Sequence, residues 1–188
     1  MARLILASAS PRRKEICQRL GLDFEVIPAD GEEAADPSLP PEQAVIAIAR
    51  GKARQVFARY PDRPVLGADT VVTVDGRLLG KPQSRKEAAQ MLRALQGRWH
   101  RVLTGVWLCR PGGGDGFAGV AEVKFAPMTA EEIAGYIATG EPMDKAGGYA
   151  IQGIGMRYVE QIKGDFYTVM GLPGAALWQF LRQYPEWK

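Results

Sequence analysis

Cysteine and histidine are almost missing from this chain: Cys17, Cys109 and His100 are all that its 188 residues carry. Two thiols far apart in sequence build neither a disulfide scaffold nor a zinc-type pair. With no apolar leader and cleavage site, they fit a reduced, cytoplasmic protein. A single histidine leaves no material for a multi-histidine zinc site and argues against a Ser-His-Asp triad; on a strand it reads as structural. The sequence has no GxxxxGK[ST], no HExxH and no GxSxG, so the corresponding nucleotide, metalloprotease and serine-hydrolase machineries are set aside. No apolar run approaches the length of a membrane span. Excess charge of one sign is also lacking. A net charge of +3 gives little general attraction to nucleic acid, and any basic site must be local. General-base chemistry therefore falls to a carboxylate.

What is present is an ordinary globular composition, 24% charged and 46% hydrophobic, of a length that suits one domain over residues 1–188. Leu4 to Ala7 reads as a buried strand, and Ser10-Pro11 as an N-cap and first-turn proline of a helix over 11–20 closed by Gly21. Arg12, Arg13 and Lys14 follow at once. A helix N-terminus disfavours each cation by about 0.3–1 kcal/mol, so three in one turn imply an anion against them. Phe24 to Ile27 returns as a strand, and the Pro- and acid-rich stretch 29–42 is a loop carrying Glu32 and Glu33. Val45, Ile48, Ala49, Ala53 and Val56 recur at helical spacing over 42–60, with Lys52 on or beside that stripe. Helix geometry alone favours a snorkelling lysine there.

The segment VLGADTVVTVDGRLLGKP (65–82) says most. Asp75-Gly76 is a two-residue hairpin turn, which pairs Val74 with Arg77 and Val72 with Leu79. Continued outward, that register sets Thr70 opposite Lys81, and a bulge at Gly80 would bring Asp69 to Lys81. Asp69 lies between Val65-Leu66 and Val71-Val72, where a carboxylate is costly without a partner. A strand-end carboxylate bonded to a loop is the alternative.

Ser84 with Glu87 and Thr129 with Glu132 box two helices, ended at Gly97 and Gly140. Strands at 99–108 and 118–125 are joined by PGGGDG (111–116), read as a hairpin loop rather than a phosphate cradle, since no helix follows it. Residues 156–162 and 166–170 form a hairpin around Lys163-Gly164-Asp165, and Pro173 starts a C-terminal helix with Leu177, Phe180 and Leu181 inward. A cationic helix start, lysines 52 and 81 and hard oxygen ligands together suit a polyphosphate with Mg²⁺.

LILASASPRRKEI, GADTVVTVDGRLLGKP, EPMDKAGGYAIQG and GDFYTVMGLP, in order across nearly the whole chain, resemble the Maf family of nucleoside triphosphate pyrophosphatases. The resemblance implies an α/β fold with a mixed, elongated sheet, helices on both sides, and two lobes around a cleft, related to the inosine triphosphatases. It implies hydrolysis of a nucleoside triphosphate to the monophosphate and pyrophosphate with a divalent metal, Mg²⁺ first and Mn²⁺ as the alternative. By motif position, Asp69 is the proton acceptor and a metal ligand, with Glu33 as a further metal carboxylate. Ser8, Ser10, Arg13, Lys14, Lys52 and Lys81 would hold the triphosphate. Arg12, Thr70 and Gln152 match positions that set base preference in the branch acting on dTTP and UTP. Thr70 is the informative letter, because the branch acting on methylated GTP usually has glutamine there. The acidic loop reads PADGEEA, which leaves metal binding shared in an unknown proportion between Glu32 and Glu33, and GGYAIQG replaces the usual GAYGIQG. The resemblance further implies a homodimer; the low net charge and the lack of a span-length apolar run lead to no expected nucleic-acid or membrane partner. Family members are also associated with septum formation and cell shape, which would make the chain a binding protein. The opening basic cluster, with no aromatics interleaved, lacks the signature of a nucleic-acid surface.

Overall fold

A computed structural model of the chain describes residues 3–31, 35, 36 and 38–185. In chain order the elements are β1 (Leu4–Leu6), α1 (Pro11–Arg19), β2 (Phe24–Val26), α2 (Pro41–Phe57), β3 (Val65–Val74), β4 (Arg77–Leu79), α3 (Arg85–Leu95), β5 (Trp99–Arg110), β6 (Gly113–Phe125), α4 (Ala130–Ala138), three 3-10 turns between Glu141 and Tyr158, β7 (Val159–Gly164), α5 (Phe166–Met170) and α6 (Gly174–Leu181). The fold is mixed α/β. Its seven-stranded sheet runs β2-β1-β3-β5-β6-β7, with β4 on β3. The β1 pairs with β2 and β3 are parallel, whereas β3–β4 and β6–β7 are antiparallel. Among the described residues no helix is long and apolar enough to cross a membrane.

The chain divides into two compact units, residues 1–69, 104–119 and 171–188 in the first and 70–103 with 120–170 in the second. Strands β3, β5 and β6 each contribute to both. In the first unit, Ile5, Ala7, Ala53, Val56, Val65 and Cys109 form a buried cluster, with Ile27, Phe57 and Trp107 packed around it. Two glycines decide how α2 meets the sheet. A Cβ on Gly67 of β3 would stand 2.3 Å from the Ala49 carbonyl oxygen, and one on Gly105 of β5 would stand 2.3 Å from that of Val45. Val45 and Ala49 are one helical turn apart, so α2 lies with its backbone directly on these two strands.

In the second unit, α3 packs against α4 and the first two 3-10 turns. His100 is buried there, edge-on to Phe125 at 5.0 Å and to Tyr149 at 5.4 Å between centroids, with Nε2 2.9 Å from the Tyr149 hydroxyl. Burial pushes its pKa down to about 4, with Arg98 adding to the effect, so it is neutral and structural.

The β3–β4 register is the expected one, through an Asp75-Gly76 turn with both residues at positive φ. The ladder stops at Leu79, so the Thr70–Lys81 pairing and the bulge at Gly80 do not occur. Three other expectations are corrected. The 111–116 stretch does join neighbouring strands as a hairpin, but a tighter one: Pro111-Gly112 is the turn, and Gly113–Gly116 already belong to β6. Gly114 and Gly116 make room for Trp107, whose indole a Cβ at either position would approach within 2.9 Å. Nor do 156–162 and 166–170 form a hairpin, because β7 pairs with β6 and residues 166–170 are helical. The reason is Asp165, whose carboxylate accepts from the Tyr167 amide at 3.0 Å and from the Thr168 hydroxyl at 3.3 Å and so starts a helix. Ser84 caps α3 as expected, but Glu87 accepts from the Gln83 amide instead of closing a box on Ser84; the box at Thr129 and Glu132 is complete.

Candidate active site

The candidate site in the first unit begins where β1 ends. Its parallel pairing with β3 reaches Leu66, and β3 then continues alone on that edge to Asp69, three residues farther on, while the chain after β1 turns through Ala7–Ser10 into α1. Gly67 and Asp69 are two apart on β3 and so face the same side, the side on which Gly67 admits α2. Lys52, three after Ala49 on α2, is carried to the same place, and its ammonium donates to Asp69 Oδ1. Each side chain is 19% exposed, so this is a partly buried pair open to solvent. The snorkelling reading of Lys52 is thereby replaced: its head has a specific carboxylate partner.

The cationic helix start is organised around Arg13. Its Nε donates to the Gly171 carbonyl at 2.8 Å and its Nη1 to Ser8 Oγ at 3.1 Å. Ser8 is 7% exposed, and its hydroxyl oxygen also accepts from the Ser10 amide at 3.3 Å. Ser10 caps α1 as the sequence implies, through a long 3.5 Å bond from the Arg13 amide. Burial draws the Arg13 pKa below its ordinary value, while Asp69 opposes that shift. Guanidinium and carboxylate thus feel each other. Of the three cations, Arg12 is half-buried beside Arg13 and Lys14 is exposed.

Sequence reasoning assigned Ser8, Ser10, Arg13, Lys52 and Asp69 to one site, and these five do gather in the first unit. It missed Gly171, whose carbonyl meets Arg13 from 158 residues away. The GDFYTVMGLP motif contained it, but nothing local marks a carbonyl as a ligand. It also missed Gly67. A glycine two residues before a strand carboxylate is a readable sign of close helix approach.

Thr70, Lys81 and Gln152 belong to the second unit. Thr70 is half-buried, next to Asp69 in the chain and on the opposite side of the strand. Lys81 is exposed just beyond β4, where Gly80 accepts from the Gly147 amide at 3.0 Å, so its loop is tied to the segment leading to Gln152. Gln152 is exposed between buried Ile151 and half-buried Gly153.

Glu32 and Glu33 lie outside the described residues. Among the described residues no three His, Cys, Asp or Glu side chains converge as a metal site. The donor chemistry nevertheless fits Mg²⁺, which binds through one or two carboxylates and completes its octahedron with phosphate oxygens and water. Asp69, a hard oxygen donor with solvent access, would be one such carboxylate.

The family model for Maf-like proteins matches residues 3–184. The chain is 47% identical over 182 residues to the dTTP/UTP pyrophosphatase of Bacillus velezensis, covering 97% of this chain and 96% of that one. It is 48% identical over 176 residues to the dTTP/UTP pyrophosphatase of Thermococcus gammatolerans, covering 94% of each. Among solved structures, the Ham1 protein of Staphylococcus aureus aligns with 83% of this chain and 93% of its own at a TM-score of 0.45 and 13% identity. With the family model running through both compact units and relatives near one-half identity over almost their whole length, the chain belongs to the Maf-like protein family.

Proposed function

We propose that this chain is a nucleoside triphosphate pyrophosphatase that cleaves dTTP and UTP to the monophosphate and pyrophosphate, acting as one functional domain over its length. The observation that carries the reading is the Lys52–Asp69 pair beside Arg13, in a chain 47% identical over 97% of its length to a relative of that name. A carboxylate is the only general base the site offers among the described residues, and its neighbours are cations.

Asp69 takes the proton from the attacking water, with the α-phosphorus as the electrophile. Charge then grows on the phosphate oxygens in the transition state, where fixed cations are worth most. Arg13, held by Gly171 and Ser8 before substrate arrives, presents a guanidinium whose orientation costs little to fix. Lys14, Lys52 and Lys81 add positive charge along the triphosphate, and Ser8 and Ser10 supply hydroxyls. A divalent metal, Mg²⁺ first, would be held by Asp69 with Glu33 or Glu32 and would supply Lewis-acid polarisation of the phosphates. Arg12, Thr70 and Gln152 read the pyrimidine edge, since a site that hydrogen-bonds one base rejects another that leaves those groups unpaired. We place the enzyme in the cytoplasm as a homodimer.

The test is a product and substrate screen with Mg²⁺ over canonical and modified triphosphates. Intact pyrophosphate with a monophosphate, and dTTP and UTP turned over ahead of ATP and GTP, are the expected results. Orthophosphate with a diphosphate would overturn the bond assignment, and equal rates on purines and pyrimidines would overturn the specificity.

A further inference from the structure

In the second unit, helix α4 turns Tyr136 inward beside Ile133 and Ile137, and the tyrosine is 2% exposed. Gly140, at a φ of 79°, ends the helix and sets Glu141 at the start of the first 3-10 turn. The Glu141 carboxylate is then fully engaged. Oε1 accepts from the Tyr136 hydroxyl at 2.7 Å and from the Gly155 amide at 2.9 Å, while Oε2 accepts from the Ile154 amide at 2.9 Å. The Tyr136 oxygen in turn accepts from the Ala150 amide at 3.1 Å. These bonds hold the backbone at 150, 154 and 155, on both sides of Gln152, and leave the Gln152 side chain itself outside the network.

The glycines confirm how close the carboxylate lies. A Cβ on Gly153 would stand 2.1 Å from Glu141 Oε2, and one on Gly155 would stand 2.5 Å from the Tyr136 hydroxyl. Any larger residue at either position displaces the clamp. Burial pushes the Glu141 pKa up, but the bonds from Gly155, Tyr136 and Ile154 and the Lys145 ammonium outweigh it and hold the group below the ordinary range, so it is a carboxylate at neutral pH.

We infer that Glu141 and Tyr136 are positioning residues that fix the backbone around Gln152 and thereby set how well the chain tells pyrimidine from purine triphosphates. The inference rests on the reading of Gln152 given above. A carboxylate is required because three donors meet its two oxygens; an amide in its place has one acceptor oxygen and leaves a buried donor unpaired.

The experiment compares Glu141→Gln and Tyr136→Phe, each made alone and together with Gln152→Ala, by kcat and KM for dTTP and for GTP and by Tm. Tyr136→Phe removes one hydroxyl and keeps the ring, so it carries the test if Glu141→Gln fails to fold. In the otherwise native chain, the preference for dTTP in kcat/KM should fall about three- to tenfold, the effect of a lost hydrogen bond, and the change should appear in the KM for dTTP. On the Gln152→Ala background neither substitution should lower it further, because both act through one group. An equal loss for dTTP and GTP, or the same further fall on the Gln152→Ala background, overturns the inference. Gln152→Ala read alone separates the two layers. If it leaves the preference intact, the base-reading role of Gln152 falls and the inference with it. If it lowers the preference while Glu141→Gln and Tyr136→Phe do not, only the inference falls.

Discussion

The Asp69 cluster of the first unit and the Gln152 loop of the second are built on opposite plans. The first is made of charged side chains from a strand and two helices, partly exposed, with Lys52 on Asp69 and Arg13 held by Ser8 and a carbonyl. The second is made of backbone, with glycines at 147, 148, 153 and 155 and one carboxylate spent on holding amides. Exchangeable ion pairs suit a place where charge arrives and leaves. A backbone held from both sides suits a place where shape is compared. The lesson is that chemistry and discrimination are separable by substitution.

The largest expected effect breaks the chemistry. Asp69→Asn should lower kcat about 10²–10⁴-fold on every triphosphate alike, the usual loss of general-base catalysis, with a modest fall in Tm because the Lys52 ammonium is left partly buried without its carboxylate. Turnover above about one-tenth of the native value, less than about 1.4 kcal/mol of barrier, would remove Asp69 as the base.

Next comes packing. Gly67→Ala puts a methyl against the backbone of α2, 2.3 Å from the Ala49 oxygen and 2.8 Å from the Ala53 nitrogen, neither of which can swing away. It should cost about 3 kcal/mol or more and pull Lys52 off Asp69. Gly153→Ala meets a movable carboxylate instead and should cost less stability while altering selectivity; denaturant midpoints and substrate ratios check both.

Two titrations sharpen the contrast by pH. In the second unit, burial lowers His100 from 6.5 to about 4. The unfolded chain therefore binds the proton more readily, and the stability from His100 is full above about pH 6.5 and is lost as pH falls toward 4. In the first unit, burial raises the Cys17 thiol from 9.0 to about 12, with Arg13 opposing. That stability is full below about pH 9 and is lost as pH rises toward 12. Each span is worth about 3–4 kcal/mol at most. Tm across pH for His100→Phe and Cys17→Ala should lose the acid and the alkaline slope respectively. Unchanged slopes would contradict the burial assigned to each.

The smallest effect is on discrimination. Gln152→Ala should change the dTTP to GTP ratio several-fold, on the order of 1 kcal/mol, and leave kcat on dTTP within a few-fold of native. A collapse of kcat on both nucleotides would show that the loop takes part in the chemistry after all.

Much of this was legible in the residues. Ser10-Pro11, Thr129 with Glu132, and Asp75-Gly76 act locally, and each sits where its pattern implies. Lys52 was ambiguous because helix periodicity gives a face and not a partner, and its partner is 17 residues on. The hairpin at 156–170 was misread because alternation cannot see Asp165 capping a helix. Gly113–Gly116 looked like a loop because Gly114 and Gly116 serve Trp107, on the neighbouring strand. Gly171 and Glu141 were invisible as ligands, since one offers a backbone carbonyl to a side chain 158 residues away and the other holds backbone amides 13 and 14 residues on.

The central claim is that water is delivered to the α-phosphorus. Turnover of dTTP in ¹⁸O-enriched water, followed by mass spectrometry of both products, tests it without any substitution. One ¹⁸O in the thymidine monophosphate and none in the pyrophosphate is the result predicted. Label in the pyrophosphate, with an unlabelled monophosphate, would place the attack on the β-phosphorus and contradict the account.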